Sequence, residues 1–434
     1  MTNEFYQLLV DRGWRRSGTI LYKPDLKASC CQQYTIRLDS EKFRPSKDQR
    51  KCINRFNKHI LGDSYIKEAA RLHPLSREQA KRRDTEFDLV ARIHEGERSI
   101  LKTPPEPAHD LTVELETDDF TEEKYILFEQ YQRLVHHEPP IKISERSFTN
   151  FLCNSPLQRR EVNGRKLGSY HQCYRIDGIL VAVGFLDLLP SCVSGVYFIY
   201  HDSFSKFSFG KLGALREIAL AMETGSRYWY AGFYIHVSVT KFPLSALCLG
   251  PCCQHISSDP GSNRGQSCPK MLYKGDFAPQ SILDPESYEW DTMDKEMKNK
   301  LERQKYVSLS RERSRAASAI SPVNGTDVED QTDTPMIDVD CQPDEDDGST
   351  EVKDPTIPIF ARSMPGVLTR QQVLDEIDLD NIKLRLGVIT AVASDLIKWE
   401  ESDIDDNRSI KGLVAEMAAA VGPEIAKELT VYFR

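Results

Sequence analysis

The sequence predicts an α/β protein with more than one domain, and three observations support this fold class. The chain has 434 residues, 40% hydrophobic and 28% charged, which is typical of a folded protein with a sizeable core. Strand and helix patterns alternate between residues 110 and 306. A Pro-rich stretch at residues 103–109 separates that part from a first domain.

Four regions follow from these patterns. Residues 1–102 are predicted to form an N-terminal domain with a cysteine pair and basic helices, and residues 110–306 the larger α/β domain. Residues 308–357 are rich in Ser, Asp, Thr and Pro, which is typical of a disordered acidic linker. Residues 358–434 regain helical spacing and predict a helical tail.

The order of elements in the larger domain is that of an acyltransferase core. Residues 179–189 (ILVAVGFLDLL) are nearly all apolar and predict a buried strand, and residues 193–200 (VSGVYFIY) predict a second. Apolar residues then repeat at helical spacing up to Gly225, where a C-terminal stop belongs. Residues 227–235 predict a further strand. Strand, strand, helix, strand is the order of the GNAT acyltransferase core, so we expect a GNAT-like α/β fold.

The charge distribution allows a nucleic-acid partner although the net charge is −9. Residues 325–354 hold twelve Asp or Glu and one Lys, so the rest of the chain is slightly basic. Ser46 is placed to cap a helix whose apolar side includes Ile53, Phe56 and Ile60. The opposite side, with the residue before the helix, is basic: Arg44, Lys47, Lys51, Arg55 and Lys58. Such a face can follow nucleic-acid phosphates, although an ordinary solvated face has the same pattern.

The adjacent cysteines Cys30 and Cys31 are a candidate zinc or iron–sulfur site, because thiolates bind both. A closed site needs four ligands, and Cys52 is the only other thiol nearby, so the site is incomplete as it stands. Two buried, unreactive thiols are the alternative interpretation.

Four polar residues lie at the edges of apolar strands and are candidates for a functional site: Tyr170, His171, Asp187 and His236. Asp187 is the most informative, because a carboxylate within an apolar strand needs a hydrogen-bonding partner or a chemical task. A satisfied structural hydrogen bond is the alternative for each of them. The turn FSFGKLGALRE fits poorly with the pyrophosphate loop of coenzyme-A-binding acyltransferases, which argues against an acyl-CoA donor.

The sequence has no run of about 18 apolar residues, so no membrane span is expected. Its first residues, MTNEFYQLLVDRGWRR, lack the pattern of a signal peptide. We therefore expect the protein in the cytosol or the nucleus, where its eleven cysteines are free thiols or metal ligands.

Ten sequence blocks between residues 11 and 290 resemble the arginyl-tRNA–protein transferases. The N-terminal blocks are DRGWRRSG at residues 11–18, CCQQYTIR at 30–37 and FRPSK at 43–47. The central blocks are SERSFTNFLCNSPL at 144–157, GSYHQCYRIDG at 168–178, LVAVGFLDLLPSCVSGVYFIYHD at 180–202, LGALREIAL at 212–220 and YAGFYIH at 230–236. The last blocks are SCPKMLYKGDFAP at 267–279 and LDPESYEW at 283–290. So many long blocks in one order are more specific than any short motif.

The resemblance implies a GNAT-like core joined to an N-terminal cysteine-bearing domain. Members of this family transfer arginine from Arg-tRNA to the α-amino group of proteins that begin with Asp, Glu or oxidised Cys, which marks those proteins for ubiquitin-dependent degradation. We therefore expect Arg-tRNA and proteins with acidic N-termini as partners, a monomer, and no cofactor requirement for the chemistry itself.

The chain departs from the family pattern in two places. The family begins with a Cys-x-x-Cys pair that completes the cysteine site; this pair is absent, so we expect a truncated start and an incomplete site at Cys30 and Cys31. Residues 237–266 separate YIH from SCPKM, which are contiguous in the family. Since Val codons begin with GT and one Gln codon is CAG, we interpret this segment as a translated intron; a mature transcript found only in the long form would contradict that. The alternative is a metal cluster of Cys248, Cys252, Cys253 and His255.

The reaction of this family requires three kinds of group in the site. An acidic residue should hold the arginyl side chain, with Asp187 as the first candidate and Glu217 as the second. A cation should hold the acceptor's carboxylate, and the candidates are Arg15, Arg16, Arg146 and Lys270. The base or proton relay is Asp187 or His236, with Tyr170 and His171 lining the site.

Two other functions stay open. An acyl-CoA-dependent N-acyltransferase of the same fold would need a better pyrophosphate loop. An inactive homologue that binds tRNA or acidic N-termini without transfer would be compatible with the truncated start and the insertion.

Overall fold

The computed structural model describes residues 1–29, 32–235, 273–320 and 358–433. The chain divides into two compact units, Met1–Val307 and Ser308–Arg434. The predicted boundary at residues 103–109 runs through the first unit, because strands from both sides of it belong to one sheet.

Twelve α-helices occur in the described ranges. Those of the first unit are α1 (Asn3–Asp11), α2 (Lys47–Leu72), α3 (Arg77–Thr85), α4 (Leu89–His94), α5 (Glu122–Leu134), α6 (Glu145–Phe148), α7 (Phe209–Glu223) and α8 (Lys295–Arg303). Those of the second unit are α9 (Leu309–Ile320), α10 (Arg370–Glu376), α11 (Ile410–Val421) and α12 (Pro423–Ala426).

The strands of the first unit form a small hairpin and one large sheet. The hairpin is β1 (Arg15–Ser17) with β2 (Ile20–Tyr22). The sheet strands are β3 (Gln33–Asp39), β4 (Leu111–Thr117), β5 (Arg160–Val162), β6 (Arg165–Ile176), β7 (Ile179–Leu188), β8 (Cys192–Tyr200), β9 (Tyr228–Tyr230), β10 (Phe233–Ile235), β11 (Gln280–Leu283) and β12 (Trp290–Thr292). The order is β12-β11-β3-β9-β8-β7-β6-β4, with β10 beside β3 and β5 beside β6. Only β8 and β9 pair in parallel among the described strands of this sheet.

The predicted order of strand, strand, helix and strand is confirmed by β7, β8, α7 and β9. One element differs, because residues 227–235 form two strands rather than one. Gly232, with a φ of 76°, breaks the run after β9. As a result β9 lies between β8 and the end of β3, and β10 pairs with the start of β3. That these elements form a GNAT core stays a prediction.

Helix α2 confirms the predicted basic helix. Ser46 Oγ accepts a hydrogen bond from the Gln49 backbone N–H, and the Gln49 side chain accepts one from the Ser46 N–H, which forms a capping box. The predicted apolar side, Ile53, Phe56 and Ile60, is buried. The predicted basic residues are all exposed: Arg44, Lys47, Lys51, Arg55 and Lys58.

Helix α7 packs closely on β8. A Cβ added at Gly213 would lie 2.4 Å from the Phe198 ring, so the helix can approach the strand this closely only because residue 213 is a glycine. Phe56 of α2 packs edge-on against Phe207 and Phe209, with ring centroids 5.7 and 5.4 Å apart. Helix α2 and the start of α7 are therefore held together by a buried aromatic contact.

The second unit corrects two predictions. Helix α9 covers the first part of the predicted disordered linker, where Arg, Glu and Ala favour a helix, and residues 321–357 lie outside the described residues. In the tail, α11 and α12 confirm the predicted helical pattern. The tail also contains a sheet, β14-β13-β15, of β13 (Lys383–Leu386), β14 (Ile389–Val392) and β15 (Thr430–Phe433). The alternation of KLRL was a strand signal that the helical interpretation missed.

A network of ion pairs and hydrogen bonds connects α4 and the residues after it to α7. Arg216 pairs with Glu97 and donates through Nη2 to the Ile93 carbonyl oxygen at 2.6 Å. His94 Nδ1 lies 2.7 Å from Glu97 Oε1, and its Nε2 lies 2.5 Å from Glu223 Oε1. Hydrogen bonds to Glu223 and Glu97 raise the pKa of His94 to about 9. The protonated imidazole therefore stabilises the packing of α4 on α7.

We expect the stability of the first unit to decrease as pH rises above neutrality. The pKa of an unfolded His is about 6.5 and that of folded His94 is about 9, so its contribution is complete below pH 6.5 and is lost as pH rises through 9. Because the imidazole is partly exposed, this contribution is on the order of 1–2 kcal/mol, or a few degrees of melting temperature. Thermal unfolding of wild type and His94→Gln at several pH values measures it.

The His94→Gln variant should melt below wild type near pH 6.5 and with wild type near pH 10. An equal difference at both pH values would show that protonation of His94 does not contribute.

Candidate functional site

Strands β8 and β9 run in parallel and then separate, and the gap between them is the centre of the site. They pair as far as Ser194 opposite Tyr230. Beyond that point β8 continues to Tyr200, while the chain after β9 turns at Gly232 and pairs with β3. The register of β7 with β8 also shifts at Val196, where a β-bulge adds one residue to β8. Two neighbouring strands thus part next to α7.

The carboxyl group of Glu217, on α7, lies at this gap. Its Oε2 accepts a hydrogen bond from Trp229 Nε1 at 2.7 Å, and the residue is only 5% exposed. A Cβ at position 195 would lie 2.7 Å from the same oxygen, so Gly195 leaves the space that the carboxyl group occupies. The other oxygen, Oε1, has no hydrogen-bond partner among the described residues.

The pKa of Glu217 lies close to neutral pH. Burial raises the pKa of this carboxyl group to about 7, against the opposing effects of the Trp229 hydrogen bond and the positive charge of Lys274. A cation that enters beside it would favour the ionised form, because an opposite charge at short range lowers a carboxyl pKa. Glu217 is therefore suited to bind a positively charged group.

A cavity of about 430 Å³ opens beside Glu217, between β8, α5 and the start of α7. This volume lies in the range of small-molecule binding sites. Its charged lining residues are Glu217, Lys211 and Lys274. Its aromatic lining residues are Tyr131, His136, Tyr197, Phe198, Tyr200, Trp229 and Tyr273.

The tyrosines give the cavity an aromatic wall. The ring centroid of Tyr131 lies 5.3 Å from that of Tyr200 and 6.3 Å from that of Tyr197. Tyr197 Oη lies 3.1 Å from His136 Nε2. Burial raises the pKa of Tyr131, Tyr197 and Tyr273, so these hydroxyls stay protonated at neutral pH. Aromatic faces of this kind bind flat groups such as a guanidinium ion or a nucleobase.

Asp187 and Arg16, predicted to have separate tasks, form one buried ion pair. Arg16 Nε donates to Asp187 Oδ2 and Arg16 Nη2 donates to Oδ1, both at 2.7 Å. Ser169 Oγ donates to Oδ1 at 2.7 Å, and Ser155 Oγ lies 2.6 Å from Ser169 Oγ. Asp187 is fully buried and does not line the cavity. The geometry therefore supports the structural interpretation of Asp187, and its catalytic role stays a prediction.

The predicted pair Tyr170 and His171 lies on β6, away from the cavity lining. His171 is buried, with Nε2 3.1 Å from the Leu152 carbonyl oxygen, and burial lowers its pKa to about 4. The imidazole is therefore neutral at physiological pH. Tyr170 precedes it in the strand and so projects from the opposite face of the sheet.

Two other predicted cations, Arg15 and Arg146, are also separate from the cavity. Arg15 is buried, with its guanidinium carbon 5.5 and 5.2 Å from the ring centroids of Tyr230 and Phe233. It donates through Nη1 to two backbone carbonyl oxygens of its own segment. Arg146 is exposed on α6. Neither residue lines the cavity.

Four predicted site residues lie outside the described residues: Cys30, Cys31, His236 and Lys270. The predicted insertion, residues 237–266, lies there as well. Within the described ranges no group of three or more His, Cys, Asp or Glu side chains is arranged to hold a metal ion. The predicted zinc or iron–sulfur site at Cys30 and Cys31 therefore stays a prediction. No helix in these ranges has the length and hydrophobicity to span a membrane.

Most of the cavity was not predicted from the sequence. Of its charged residues only Glu217 was among the candidates, whereas Lys211, Lys274 and the Trp229 that holds Glu217 were not. Gly195 was an available signal, because an isolated glycine inside a strand pattern marks a bulge or a close approach. The partners of Glu217 come from β8 and β9, which no local pattern in α7 reveals.

The fold and the cavity define an α/β protein with an aromatic-lined cavity that contains a buried carboxyl group. Two family models match the chain: "Arginine-tRNA-protein transferase, N terminus" at residues 1–51 and "Arginine-tRNA-protein transferase, C terminus" at residues 123–241. Over these two stretches the chain is similar to the arginine-tRNA-protein transferase family, in agreement with the resemblance of its sequence blocks.

Three curated relatives show the extent of the similarity. Arginyl-tRNA–protein transferase 1 of Saccharomyces cerevisiae is 31% identical over 301 residues, which cover 64% of this chain and 48% of that protein. Arginyl-tRNA–protein transferase 1 of Drosophila melanogaster is 25% identical, with coverage of 70% and 78%. Aspartate/glutamate leucyltransferase of Campylobacter jejuni is 22% identical, with coverage of 65% and 81%. The chain thus spans about half the length of the yeast relative.

We expect Asp187→Asn to destabilise the protein by about 3–5 kcal/mol, because it leaves the Arg16 guanidinium buried without its counter-charge. Urea unfolding of the first unit measures this change. The double variant Arg16→Met with Asp187→Leu should recover most of the stability, since it removes both charges together. A single variant that unfolds like wild type but loses activity would instead place Asp187 in the chemistry.

Proposed function

We propose that this protein transfers arginine from Arg-tRNA to the α-amino group of proteins with acidic N-termini. The observation that carries the proposal is the buried carboxyl group of Glu217 at the wall of the cavity. One of its oxygens is held by Trp229, and the other has no partner among the described residues. A guanidinium group supplies the charge and the N–H donors that such an oxygen accepts.

The names of the relatives support the two substrates. The yeast and Drosophila relatives are named for arginyl-tRNA and for protein. The Campylobacter relative is named for aspartate and glutamate. We bring these substrate classes to this chain as an arginyl-tRNA donor and an acceptor that begins with Asp or Glu, to which the family resemblance adds oxidised Cys.

The reaction needs positioning more than covalent catalysis. The neutral α-amine of the acceptor attacks the carbonyl carbon of the arginyl ester, a C–N bond forms, and the ester C–O bond breaks. The ribose oxygen of the tRNA leaves with a proton that the amine gives up. Because the pKa of an α-amine is near 8, a modest fraction is neutral at physiological pH. The protein has to hold amine and ester in line.

The cavity provides both ends of the donor site. Glu217 fixes the guanidinium group at the gap between β8 and β9. The aromatic wall, which includes Tyr131 and Tyr200, offers faces on which the guanidinium plane or the terminal base of the tRNA stacks. A leucyl group would gain no charge pairing from Glu217, so the carboxyl group also selects the amino acid.

Lys274 is the cation that we assign to the acceptor's carboxylate. It lines the cavity and is close enough to Glu217 to lower the pKa of that carboxyl group. Of the predicted candidates, Arg16 is paired with Asp187 and Arg15 lies against two aromatic rings. Lys274 fits the role better than either of them because it lines the cavity, whereas Arg15 and Arg16 do not.

The proton acceptor stays a prediction. His171 is a poor candidate, because a pKa of about 4 makes it too weak a base at neutral pH. The sequence candidates are Asp187 and His236, and His236, in the block YAGFYIH, lies outside the described residues. A monomer in the cytosol or nucleus, and the degradation of arginylated products, are parts of the proposal that rest on the family resemblance.

We expect Glu217→Gln to lower kcat/KM for Arg-tRNA about 10- to 100-fold, since a hydrogen bond to a charged group contributes about 1.5–3 kcal/mol. The assay follows ribonuclease-sensitive transfer of labelled arginine to a protein that starts with Asp, with a Val-starting protein as the control acceptor. Glu114→Gln is the matched control variant, because Glu114 is an exposed carboxylate on β4.

Each outcome separates a different part of the proposal. If neither the full chain nor a version without residues 237–266 transfers arginine, the proposed activity is overturned. Transfer that Glu217→Gln leaves at the level of Glu114→Gln would keep the activity and remove Glu217 from the donor site.

A further inference from the structure

The starts of α2 and α7 meet at the opening of the cavity. Ser208, Gly210 and Lys211, at the start of α7, line the cavity. Arg55 Nη2, on α2, donates to Ser208 Oγ at 3.4 Å, and Lys211 Nζ lies 2.7 Å from an oxygen of Asp48, also on α2. The exposed basic face of α2 therefore borders the cavity directly.

Three cations surround one carboxylate at this point. Hydrogen bonding and charge from Lys211, together with the charges of Lys51 and Arg55, lower the pKa of Asp48. Lys51, Arg55 and Asp48 are exposed, so the group is accessible to a large ligand. We call Lys51, Arg55 and Lys211 the cationic lip. With Asp48 included, the lip carries an excess of positive charge that the described residues do not neutralise.

The same charge continues along α2. Lys47 precedes Lys51 by one turn and is exposed. The distance from Lys47 to Arg55 along the helix is about 12 Å, at about 1.5 Å per residue. A row of cations of this length can contact consecutive phosphates of one nucleic-acid strand. Lys58, farther along, is instead paired with Asp63 at 3.1 Å.

We propose that the cationic lip binds the last backbone phosphates at the 3′ end of the charged tRNA and directs its arginyl end into the cavity. The inference rests on the proposed function and names the ligand of a surface that this function alone does not assign. An arginyl group held by Glu217 is attached to the terminal ribose, so the phosphates that precede it must pass the opening. The lip places cations at that opening.

The Asp48 carboxylate allows a phosphate-binding site to be distinguished from a simple ion pair between α2 and α7. Its carboxylate offsets one positive charge and pairs with Lys211. If the lip binds phosphate, removal of this carboxylate should strengthen RNA binding, because it frees Lys211 and adds one net positive charge. If the group is only an ion pair between α2 and α7, removal should leave RNA binding unchanged.

Binding of uncharged tRNA to the full chain, followed by fluorescence anisotropy at several salt concentrations, tests the proposal. We expect Lys51→Ala and Arg55→Ala each to weaken binding and to reduce the slope of log affinity against log salt by about 1. We expect Asp48→Asn to tighten binding. Lys67→Ala is the matched control, because Lys67 is exposed on the same helix beyond the break at Gly62.

A second RNA locates the contact. A tRNA shortened by its single-stranded 3′ end should bind wild type and the lip variants alike, because the phosphates that the lip contacts are gone. Equal binding of full-length tRNA by wild type and lip variants would overturn the proposal. So would lip variants that leave tRNA binding intact but raise the KM of an Asp-starting acceptor, since the lip would then serve the acceptor.

This test does not depend on the transfer reaction. If the chain binds tRNA through the lip but transfers no arginine, only the proposed activity fails. If it transfers arginine but the lip variants bind and react as Lys67→Ala does, only the assignment of the lip fails.

Discussion

The candidate site depends on one constraint, the burial of the Glu217 carboxyl group where β8 and β9 separate. A carboxyl group in such a place is costly unless it is hydrogen-bonded, and its pKa of about 7 reflects that cost. Trp229 satisfies one oxygen, and the absence of a side chain at Gly195 leaves room for it. The structure thus maintains an acidic group that a bound cation would stabilise, which is the property that a donor site for arginine requires.

Two further networks hold the elements around this site. The pair of Arg16 with Asp187 ties the β1–β2 hairpin to β7 through fully desolvated hydrogen bonds. The contacts of His94 and Arg216 fix α4 to α7, the helix that carries Glu217. Because β3 also enters the central sheet, the N-terminal region is part of the same compact unit as the cavity and is not an independent attachment. The positions of the cavity walls therefore depend on residues far from them in sequence.

The sequence predicted the elements of this unit better than their contacts. The apolar runs of β7 and β8 and the period of α7 were sufficient to locate them, because burial leaves a local pattern. The partner of Asp187 lies 171 residues away, and no local pattern could identify it. Glu217 was a candidate only because the reaction of the family needs an acidic residue. Trp229, Lys274 and the aromatic wall could be identified only once the strand order of the sheet was known. The break at Gly232 and the strands of the second unit were local signals that longer periodic patterns obscured.

The most direct test of the account is the affinity of the full chain for a stable donor analogue, an arginyl amide of 3′-amino-3′-deoxyadenosine. Calorimetry would compare it with the leucyl amide, on wild type and on Glu217→Gln. We predict that wild type prefers the arginyl analogue by about tenfold or more, and that Glu217→Gln loses most of this preference. Equal affinity of wild type for the two analogues, or an unchanged preference in Glu217→Gln, would contradict the claim that Glu217 recognises the transferred arginine.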